Sequence, residues 1–370
     1  MRWLFVALIV LHAVIHVMGF AKAFGLAELP QLTTSATTGM GIAWLIAACL
    51  LIATALLLAT GAHVWWLIGL SAVVVSQAAI ATAWSDAKFG SIANALVFAG
   101  VVYGFASQGP LSLRAAYRHE VHARLARSLP APRITAEDLA ALPEPVQRYV
   151  RLAGAIGQPR VYRFRASWRG RIRANPGEPW MAFTAHQYNF LDEPARFFFM
   201  DAARSGLPVD VFHAFRRGEA SMRVRLLSLV PLVNASGPEL TRAETVTLFN
   251  GLCLLAPAAL VDPAIRWDPI DGRSARGQYT VGRNTIGAVL SFNDEGELVN
   301  FTSEDRLAQS AGGTQWTRQP WSTPVRSYRQ FGPWRVSTRG EGRWHSPTGA
   351  FAYIELELLD LYTNEEVRQP

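Results

Sequence analysis

The chain has 370 residues, of which half are hydrophobic and only 17% are charged, and it carries a formal net charge of +7. It contains no zinc-ligand spacing, no phosphate-loop glycine pattern and no RNA-binding aromatic motif. The positive charge therefore does not indicate a nucleic-acid partner. Anionic lipid headgroups are the other natural partner of an arginine-rich surface.

The charges are distributed unevenly along the chain. The charged residues within residues 1–110 are Arg2, Lys22, Glu28, Asp86 and Lys88. Nearly all the other charged residues follow residue 110. This distribution predicts a four-helix transmembrane bundle in residues 1–110, an amphipathic and short-helix linker in 111–159, and a soluble β-rich domain in 160–370.

Four apolar segments in the first half have about the length that a membrane-crossing helix needs. They cover residues 3–20, 41–60, 63–84 and 91–106. A cleaved signal peptide is the alternative interpretation of the first segment. Three further apolar segments follow it and no clear cleavage site does, which favours a retained span.

Arginines beside the predicted spans indicate the orientation of the chain. Arg2 precedes the first span, and Arg114, Arg118, Arg124 and Arg127 follow the last. Because four spans put both termini on one side and positive residues favour the inside, the pattern places the β-rich domain in the cytoplasm, at a bacterial inner membrane. If the first or fourth segment does not cross, the domain lies outside.

Polar side chains interrupt the apolar segments. His12 and His16 are four residues apart, so both imidazoles project from one helix face, which should point into the bundle. One hypothesis is a haem or metal redox site, for which the sequence offers no further ligands at that depth. The other is that each histidine bonds a neighbour such as Ser76 or Gln77 and joins the helices. We predict no resident cofactor.

A polar cluster is expected around these histidines and at the outer end of the bundle. Its predicted members are His12, His16, Lys22, Asp86, Lys88 and Asn94. Because ions near a bilayer are costly unless paired, we expect a Lys22–Asp86 contact. The alternative is that these are ordinary interfacial residues.

From residue 160 onward, apolar and polar residues alternate with a period of two, which predicts strands. About ten are indicated, at residues 161–173, 180–190, 195–202, 209–217, 220–230, 274–282, 286–294, 298–305, 325–331, 341–346 and 350–362. One helix, at 239–255, interrupts the series. The pattern predicts a mainly antiparallel curved sheet or open half-barrel with one inserted helix.

Such a sheet has an apolar face that must be covered. The inserted helix covers part of it, and a lipid chain or another apolar ligand is our hypothesis for the rest. The alternative is that the domain's own aromatic side chains fill the space. The sequence does not separate these two interpretations.

The first strand places arginines at alternate positions, on the face opposite to its apolar residues. We predict contact with lipid or lipid headgroups for Arg163, Arg165, Arg169 and Arg171. The alternative is a solvated row that pairs with acids on neighbouring strands, such as Glu355 and Glu357.

No motif assigns a catalytic role, so the sequence leans away from an enzyme. It has no Gly-x-Ser-x-Gly elbow and no His-Glu-x-x-His helix. The candidate acids and bases are His186, His213, Asp192, Glu193, Asp201, Asp210, Glu244, Asp262 and Asp268. Cys253 lies in an apolar helical run that is typical of a core position, and no disulfide to Cys49 is expected.

Several segments together resemble a bacterial multi-pass membrane family of unknown function. They are HAVIHVMGFAKAFG, WSDAKFGSIAN, LPEPVQRYVRLAG, ETVTLFNGLCLLAPAALVD and FGPWRVSTRGEGRW, in that order. The β half resembles the lipoprotein-carrier proteins, and this resemblance implies a curved sheet that embraces acyl chains. Carriers of that kind usually work outside the cytoplasm, in contrast to the orientation predicted from the arginines. The resemblance implies no activity and transfers no site residues.

Three functions remain open from the sequence. The first is a membrane protein that binds a lipid or other apolar molecule through its β domain. The second is an integral-membrane haem or metal redox protein that uses the first-span histidines. The third is a membrane-anchored scaffold or sensor with an unknown protein partner.

Overall fold

The structure, a computed structural model, describes residues 2–30, 32–127, 129–309, 316–347 and 349–364. The chain divides into two compact units. The first contains residues 1–116 with 227–229, and the second contains residues 117–226 and 230–370. We call them the helical unit and the β domain, and describe each by itself.

The helical unit consists of apolar helices with short connections. They are α1 (Arg2–Ala23), α2 (Thr38–Thr60), α3 (Trp65–Thr82), the short α4 (Trp84–Ala87) and α5 (Gly90–Gln108). By length and composition, four segments are apolar enough to cross a membrane: α1, α2, α3 and the stretch Gly90–Leu125. Thr37 caps the start of α2, and Gly61 ends it in the left-handed conformation at φ 77°, which produces the tight connection to α3.

Small residues let these helices approach closely. A Cβ added at Gly19 would lie 2.5 Å from the Trp44 ring, and one at Gly104 would lie 2.5 Å from the Trp65 ring. Glycine at such contacts is typical of packing between apolar helices, where van der Waals contact replaces the hydrophobic effect.

The β domain is built on one antiparallel sheet. The described residues form thirteen strands of this sheet, and β11 (Leu307–Gln309) and β12 (Trp316–Arg318) pair separately. The thirteen are β1 (Arg163–Ile172), β2 (Met181–Phe190), β3 (Ala195–Arg204), β4 (Leu207–Arg216), β5 (Glu219–Leu226), β6 (Val230–Ser236), β7 (Ile265–Asp271), β8 (Ser274–Val281), β9 (Asn284–Phe292), β10 (Leu298–Ser303), β13 (Trp321–Phe331), β14 (Trp334–Ser346) and β15 (Gly349–Thr363).

The strand order is β6-β5-β4-β3-β2-β1-β15-β14-β13-β10-β9-β8-β7. Two meanders therefore run outward from the centre, where the first and last strands of the domain pair antiparallel. The outermost strands, β6 and β7, do not pair with each other, so the curved sheet is open rather than closed into a barrel. This confirms the predicted curved antiparallel sheet.

The pattern analysis missed two strands of the sheet, and these are its two edges. Pro231 lies in β6 and Pro269 lies in β7. Proline lacks the N–H that a central strand must donate, so it is confined to sheet edges and bulges. The same prolines that make these segments suitable as edges obscure their strand pattern in the sequence.

The helix α8 (Pro238–Leu255), followed by a short 3-10 helix at Pro257–Val261, connects the two edge strands, and the bounds of α8 differ by one residue from the prediction. Its 18 residues span about 27 Å at 1.5 Å per residue. Nearly every side chain from Leu240 to Leu255 is buried. We call the sheet face that α8 covers the inner face. There the Phe249 ring stacks on Tyr279 with centroids 5.3 Å apart.

Two further helices complete the domain. In α7 (Glu144–Leu152), Val146, Tyr149 and Val150 belong to the core of the β domain, and the Tyr149 hydroxyl donates to the Cys253 carbonyl at 2.8 Å. Residues 117–125 of α6 (Leu113–Leu125) lie on the outer face, where the Tyr117 ring contacts Phe199. The stretch predicted as a linker thus contributes directly to the packing of the domain.

We expect Leu252→Ala to destabilise the β domain by about 2–5 kcal/mol, because Leu252 is 3% exposed in the core under α8 and its truncation leaves a cavity. The measurement is chemical unfolding of the full-length protein followed by near-ultraviolet circular dichroism. Leu207→Ala is the control, since Leu207 is 44% exposed and its loss should change stability by no more than about 0.5 kcal/mol. Equal effects of the two substitutions would contradict the assigned core.

Candidate functional site

A cavity of about 190 Å³ lies between α8 and the inner face of the sheet. Its apolar lining comes from strands on both sides of the central β1–β15 pair and from α8. The residues used below are Trp168, Ile172, Phe198, Met200, Leu254, Ile354 and Leu356. Alternation along each strand places the strand residues of this set on the inner face, and Leu254 belongs to α8.

Part of this apolar surface is not fully covered. Phe198 and Met200 are buried, whereas Trp168, Ile172, Ile354 and Leu356 are only half-buried although they pack in the same cluster. α8 therefore shields one part of the inner face and leaves an apolar patch beside it. Exposed contiguous apolar surface of this kind is characteristic of binding sites.

Charged side chains also line the cavity. Among them, Glu244 of α8 has Oε2 3.2 Å from Arg196 Nη1. Its other oxygen, Oε1, lies 3.8 Å from Arg306 Nη2 and 3.7 Å from His213 Nδ1. We call Arg196, His213, Glu244 and Arg306 the cavity charge cluster. Arg196 and Glu244 are 8% and 4% exposed, so these charges are largely removed from water.

The electrostatics of this cluster favour the ionised carboxylate. Burial by itself raises the pKa of Glu244, but the contact with His213 and the charges of Arg196 and Arg306 outweigh it and hold the pKa below its usual range. Burial lowers the pKa of Arg196, although its guanidinium stays charged because Glu244 opposes the shift.

Arg306 is held rigidly at this site. Its guanidinium lies 4.6 Å from the centre of the Trp321 ring. Nη1 donates to the Ala243 carbonyl at 3.0 Å and to the Thr247 hydroxyl, both on α8. Stacking and backbone hydrogen bonds together fix the position of this cation.

The predicted arginine row lies on the other side of the sheet. It alternates along β1 with the cavity residues Trp168 and Ile172, so it occupies the outer face. Arg169 Nη2 lies 2.9 Å from Glu357, and Arg171 Nε lies 2.7 Å from Glu355; these acids stand directly opposite on β15. The carboxylates are the two suggested by the sequence.

The other two arginines of the row, Arg163 and Arg165, also have contacts within the protein. Arg163 is buried and donates Nη1 to the carbonyls of Leu125 and Arg127, at 2.9 and 3.1 Å. The Arg165 guanidinium lies 4.5 Å from the centre of the Tyr362 ring. Contact of this row with lipid headgroups stays a prediction, and it is separate from the cavity.

In the helical unit, the two histidines join a buried hydrogen-bond network. Ser76 Oγ lies 2.8 Å from His16 Nε2 and donates to Asn94 Oδ1 at 2.8 Å. His12 Nε2 donates to the same Asn94 oxygen at 2.9 Å, and His16 Nδ1 donates to the His12 carbonyl at 2.9 Å. Ser76 is one of the two neighbours that the sequence suggested.

This geometry bears on the haem or metal hypothesis. Both ring nitrogens of His16 contact oxygens of the protein, so a metal would have to displace a bond on either one. Among the described residues, no group of three or more His, Cys, Asp or Glu side chains is arranged to hold a metal ion. The network is better explained as a polar contact that joins α1, α3 and α5.

At the end of α1, the expected Lys22–Asp86 contact is replaced by a shared partner. Lys22 Nζ donates to the carbonyls of Leu32 and Thr34, and Asp86 accepts from the Thr33 hydroxyl and the Thr34 amide, both at 2.7 Å. These bonds lower the pKa of the Asp86 carboxyl. Lys22 and Asp86 thus both form hydrogen bonds with the segment 32–34. The sequence pattern did not predict that this segment lies between them.

Two features complete this end of the helical unit. Lys88 Nζ lies 5.5 Å from the centre of the Phe89 ring. A cavity of about 330 Å³ is lined by residues that include His12, His16, Trp44 and Asp86. Of the predicted cluster, the structure brings together His12, His16 and Asn94, and the first two share this cavity with Lys22 and Asp86.

Most of the other acids and bases named from the sequence lie away from the β-domain cavity. His186 is 3.4 Å from Ser167, Arg127 pairs with Asp192 and Glu193, and Asp262 pairs with Arg160. Only His213 and Glu244 line it. Cys253 is fully buried and burial raises the pKa of its thiol, as suits a core residue.

Arg196 and Arg306 were missed by sequence reasoning. No motif around either residue assigns it a role that the outer-face arginines lack. The available signal was the period-two alternation of Arg196 with Phe198 and Met200, which places this arginine on an apolar face.

We expect Ser76→Ala to destabilise the helical unit by about 1–2 kcal/mol, because it leaves buried histidine and asparagine groups without their shared partner. Thermal unfolding of the detergent-solubilised full-length protein measures the effect. Ser71→Ala is the matched control, since Ser71 is exposed on the same helix and bonds only the Leu67 carbonyl among described residues. A control variant as unstable as Ser76→Ala would refute the central role of Ser76.

Comparisons with known proteins place the β domain in a structural context. A LolA superfamily protein from Nitrosomonas europaea is 10% identical, with a TM-score of 0.35, and covers 62% of this chain and 94% of its own. An outer membrane lipoprotein-sorting protein domain from Vibrio parahaemolyticus is 10% identical, with a TM-score of 0.34, and covers 56% and 87%. A DUF1329 family protein from Desulfovibrio piger is 14% identical, with a TM-score of 0.33, and covers 56% and 88%.

Among curated proteins, none matches the chain. A family model matches residues 132–356, which is more than half of the chain and includes α8, β1 and the first half of β15. The chain therefore belongs to DUF6544, a family of unknown function.

Proposed function

We propose that this protein is anchored in a membrane by its apolar helices and binds the hydrocarbon chain of a lipid in the β-domain cavity. The observation that carries the proposal is the apolar cavity under α8, continuous with a patch of half-buried apolar side chains on the same face. A domain with no ligand for this surface would leave it in water, at a cost of about 25 cal/mol per Å².

The dimensions suit part of a hydrocarbon chain. An engineered apolar cavity of about 150 Å³ is large enough to admit benzene. The cavity here measures about 190 Å³. It would hold one segment of a chain, and the remainder would lie against the half-buried apolar residues, Trp168, Ile172, Ile354 and Leu356.

The proposal of membrane anchorage rests on the surface of the helical unit. Large apolar side chains such as Leu4, Leu56, Leu67 and Val74 are at least half exposed there. A water-soluble bundle would carry charged residues at such positions, whereas hydrocarbon solvates apolar ones. We propose a bacterial inner membrane, with the β domain on the cytoplasmic side.

We expect Gly251→Leu to weaken binding of an alkyl chain. Gly251 lines the cavity, and an added Cβ would meet its neighbours at 3.6 Å or more, so the first carbon is accommodated and the rest of the side chain competes with a ligand for the space. The test is lipid extraction and mass spectrometry of the purified full-length protein, together with titration of a fluorescent alkyl probe. An affinity loss of about tenfold or more is expected.

Gly177→Leu is the matched control for this substitution. It adds the same side chain at a position with no heavy atom within 4 Å, in the connection between β1 and β2. Binding should be unchanged in this variant. If the unaltered protein carries no lipid and binds no alkyl probe, the proposed function is wrong.

Reporter fusions test the proposed orientation of the chain in the membrane. Because four spans return the chain to the side of Arg2, a C-terminal fusion to green fluorescent protein should fluoresce, and a C-terminal fusion to alkaline phosphatase should be inactive. Removal of α1 (residues 2–23) should reverse both results, since it leaves an odd number of spans. The opposite pattern in the full chain would place the β domain outside the cytoplasm.

A further inference from the structure

We infer that the β-domain cavity recognises an amphiphile with a single negative charge, most simply the carboxylate of a fatty acid, through Arg196 and Arg306. This inference rests on the proposed function, because it assigns the head group of a ligand whose chain occupies the same cavity. It specifies the class of ligand, which the apolar lining alone does not.

The first support is the charge balance. Among the described residues that line the cavity, the charged side chains are Arg196, Arg306, Arg339 and Glu244. Arg339 stands directly opposite Glu357 on β15 and approaches it to 3.8 Å, so its side chain belongs to the outer face and leaves the inner-face cluster unchanged. The inner side of the cavity therefore holds two guanidinium groups against one carboxylate, an excess of one positive charge among these three groups. An uncompensated buried charge is costly, and one further anion would balance it.

The second support is the supply of hydrogen-bond donors. A guanidinium group carries five N–H donors in a planar fork that matches a carboxylate. Among the described residues, the Nε atoms of Arg196 and Arg306 are buried and have no hydrogen-bond partner. Within the part of the chain that the structure describes, Arg306 Nη2 approaches Glu244 Oε1 at 3.8 Å, which is beyond hydrogen-bond distance. A carboxylate bound here would satisfy donors that the protein leaves open.

The third support is the position of the cluster relative to the apolar lining. Arg196, Phe198 and Met200 follow one another at alternate positions on the inner face of β3. From Arg196 to Met200 the strand advances about 14 Å, at about 3.4 Å per residue. A head group at Arg196 thus places the chain along Phe198 and Met200, toward the half-buried patch on β1 and β15.

The rigidity of Arg306 also favours recognition. Its stacking on Trp321 and its bonds to α8 hold the guanidinium in place before any ligand arrives. A pre-positioned cation loses little conformational entropy when it binds an anion.

The experiment uses the full-length protein in membranes, with two photoreactive probes. One is palmitic acid with a diazirine in its chain, and the other is the corresponding palmityl alcohol, at mildly alkaline pH so that the acid is ionised. Cross-links are mapped by mass spectrometry to the cavity peptides of β1 and β3. Competition with unlabelled dodecanoate and dodecanol gives the relative affinities.

We expect the acid to bind about tenfold more tightly than the alcohol. Arg306→Gln and Arg196→Gln should each remove most of this preference while the alcohol is still captured, and Arg306→Lys should retain part of it. Arg329→Gln is the matched control. Arg329 also stacks on an aromatic ring, Phe331, and donates to a backbone carbonyl, but it lies outside the cavity lining.

The outcomes separate the two proposals. Equal capture of acid and alcohol by the unaltered protein overturns the head-group assignment and leaves alkyl-chain binding intact; this comparison needs no variant and so does not depend on variant folding. A preference that persists in both glutamine variants overturns the assignment to these arginines. Capture of neither probe in the cavity refutes the proposed function, and the present inference with it.

Discussion

The antiparallel pairing of β1 with β15 is the contact on which the β domain depends. It joins the first and last strands of the domain at the centre of the sheet, from Phe164 opposite Thr363 to Ile172 opposite Ile354. Without this pairing the two meanders would be separate sheets, each with an extra exposed edge. The same pair contributes to both faces: Trp168, Ile172, Ile354 and Leu356 to the cavity, and the Arg169–Glu357 and Arg171–Glu355 pairs to the outer face.

The second constraint is the connection between the outer edges. Since β6 and β7 lie at opposite ends of the sheet, the segment that links them must cross it, and α8 does so on the inner face. Its burial provides the core of the domain. α8 also places Glu244 in an apolar space. The buried carboxylate is stabilised there because it pairs with Arg196 and lies near Arg306. The charge cluster is thus a direct consequence of the topology.

The helical unit follows a different physical rule. Its helices are apolar on most of their surface, so their contacts depend on close approach at glycine and on a few buried polar groups. Ser76 and Asn94 connect His12 and His16 across three helices. Lys22 and Asp86 hold the segment 32–34 from two sides. In both places the polar residues form hydrogen bonds with each other or with the backbone.

Much of the architecture was determined by the sequence alone, because the deciding signals are local. Long apolar runs predict the four long helices described in the first unit, and alternation predicts eleven of the thirteen strands described in the main sheet. The acids opposite the arginine row could be named in advance, since period-two alternation and complementary charge act between neighbouring strands. The edge strands were missed because Pro231 and Pro269 disrupt that alternation.

The tertiary structure decided the candidate site. Arg196, His213, Glu244 and Arg306 come from two strands, one helix and a connecting segment, and lie as far as 110 positions apart in the chain. Their proximity depends on strand order and on the path of α8 across the sheet, which no local pattern encodes. Burial and contacts also distinguish the arginines: those on the outer face of β1 meet acids, backbone carbonyls or an aromatic ring, and the two at the cavity outnumber their one carboxylate.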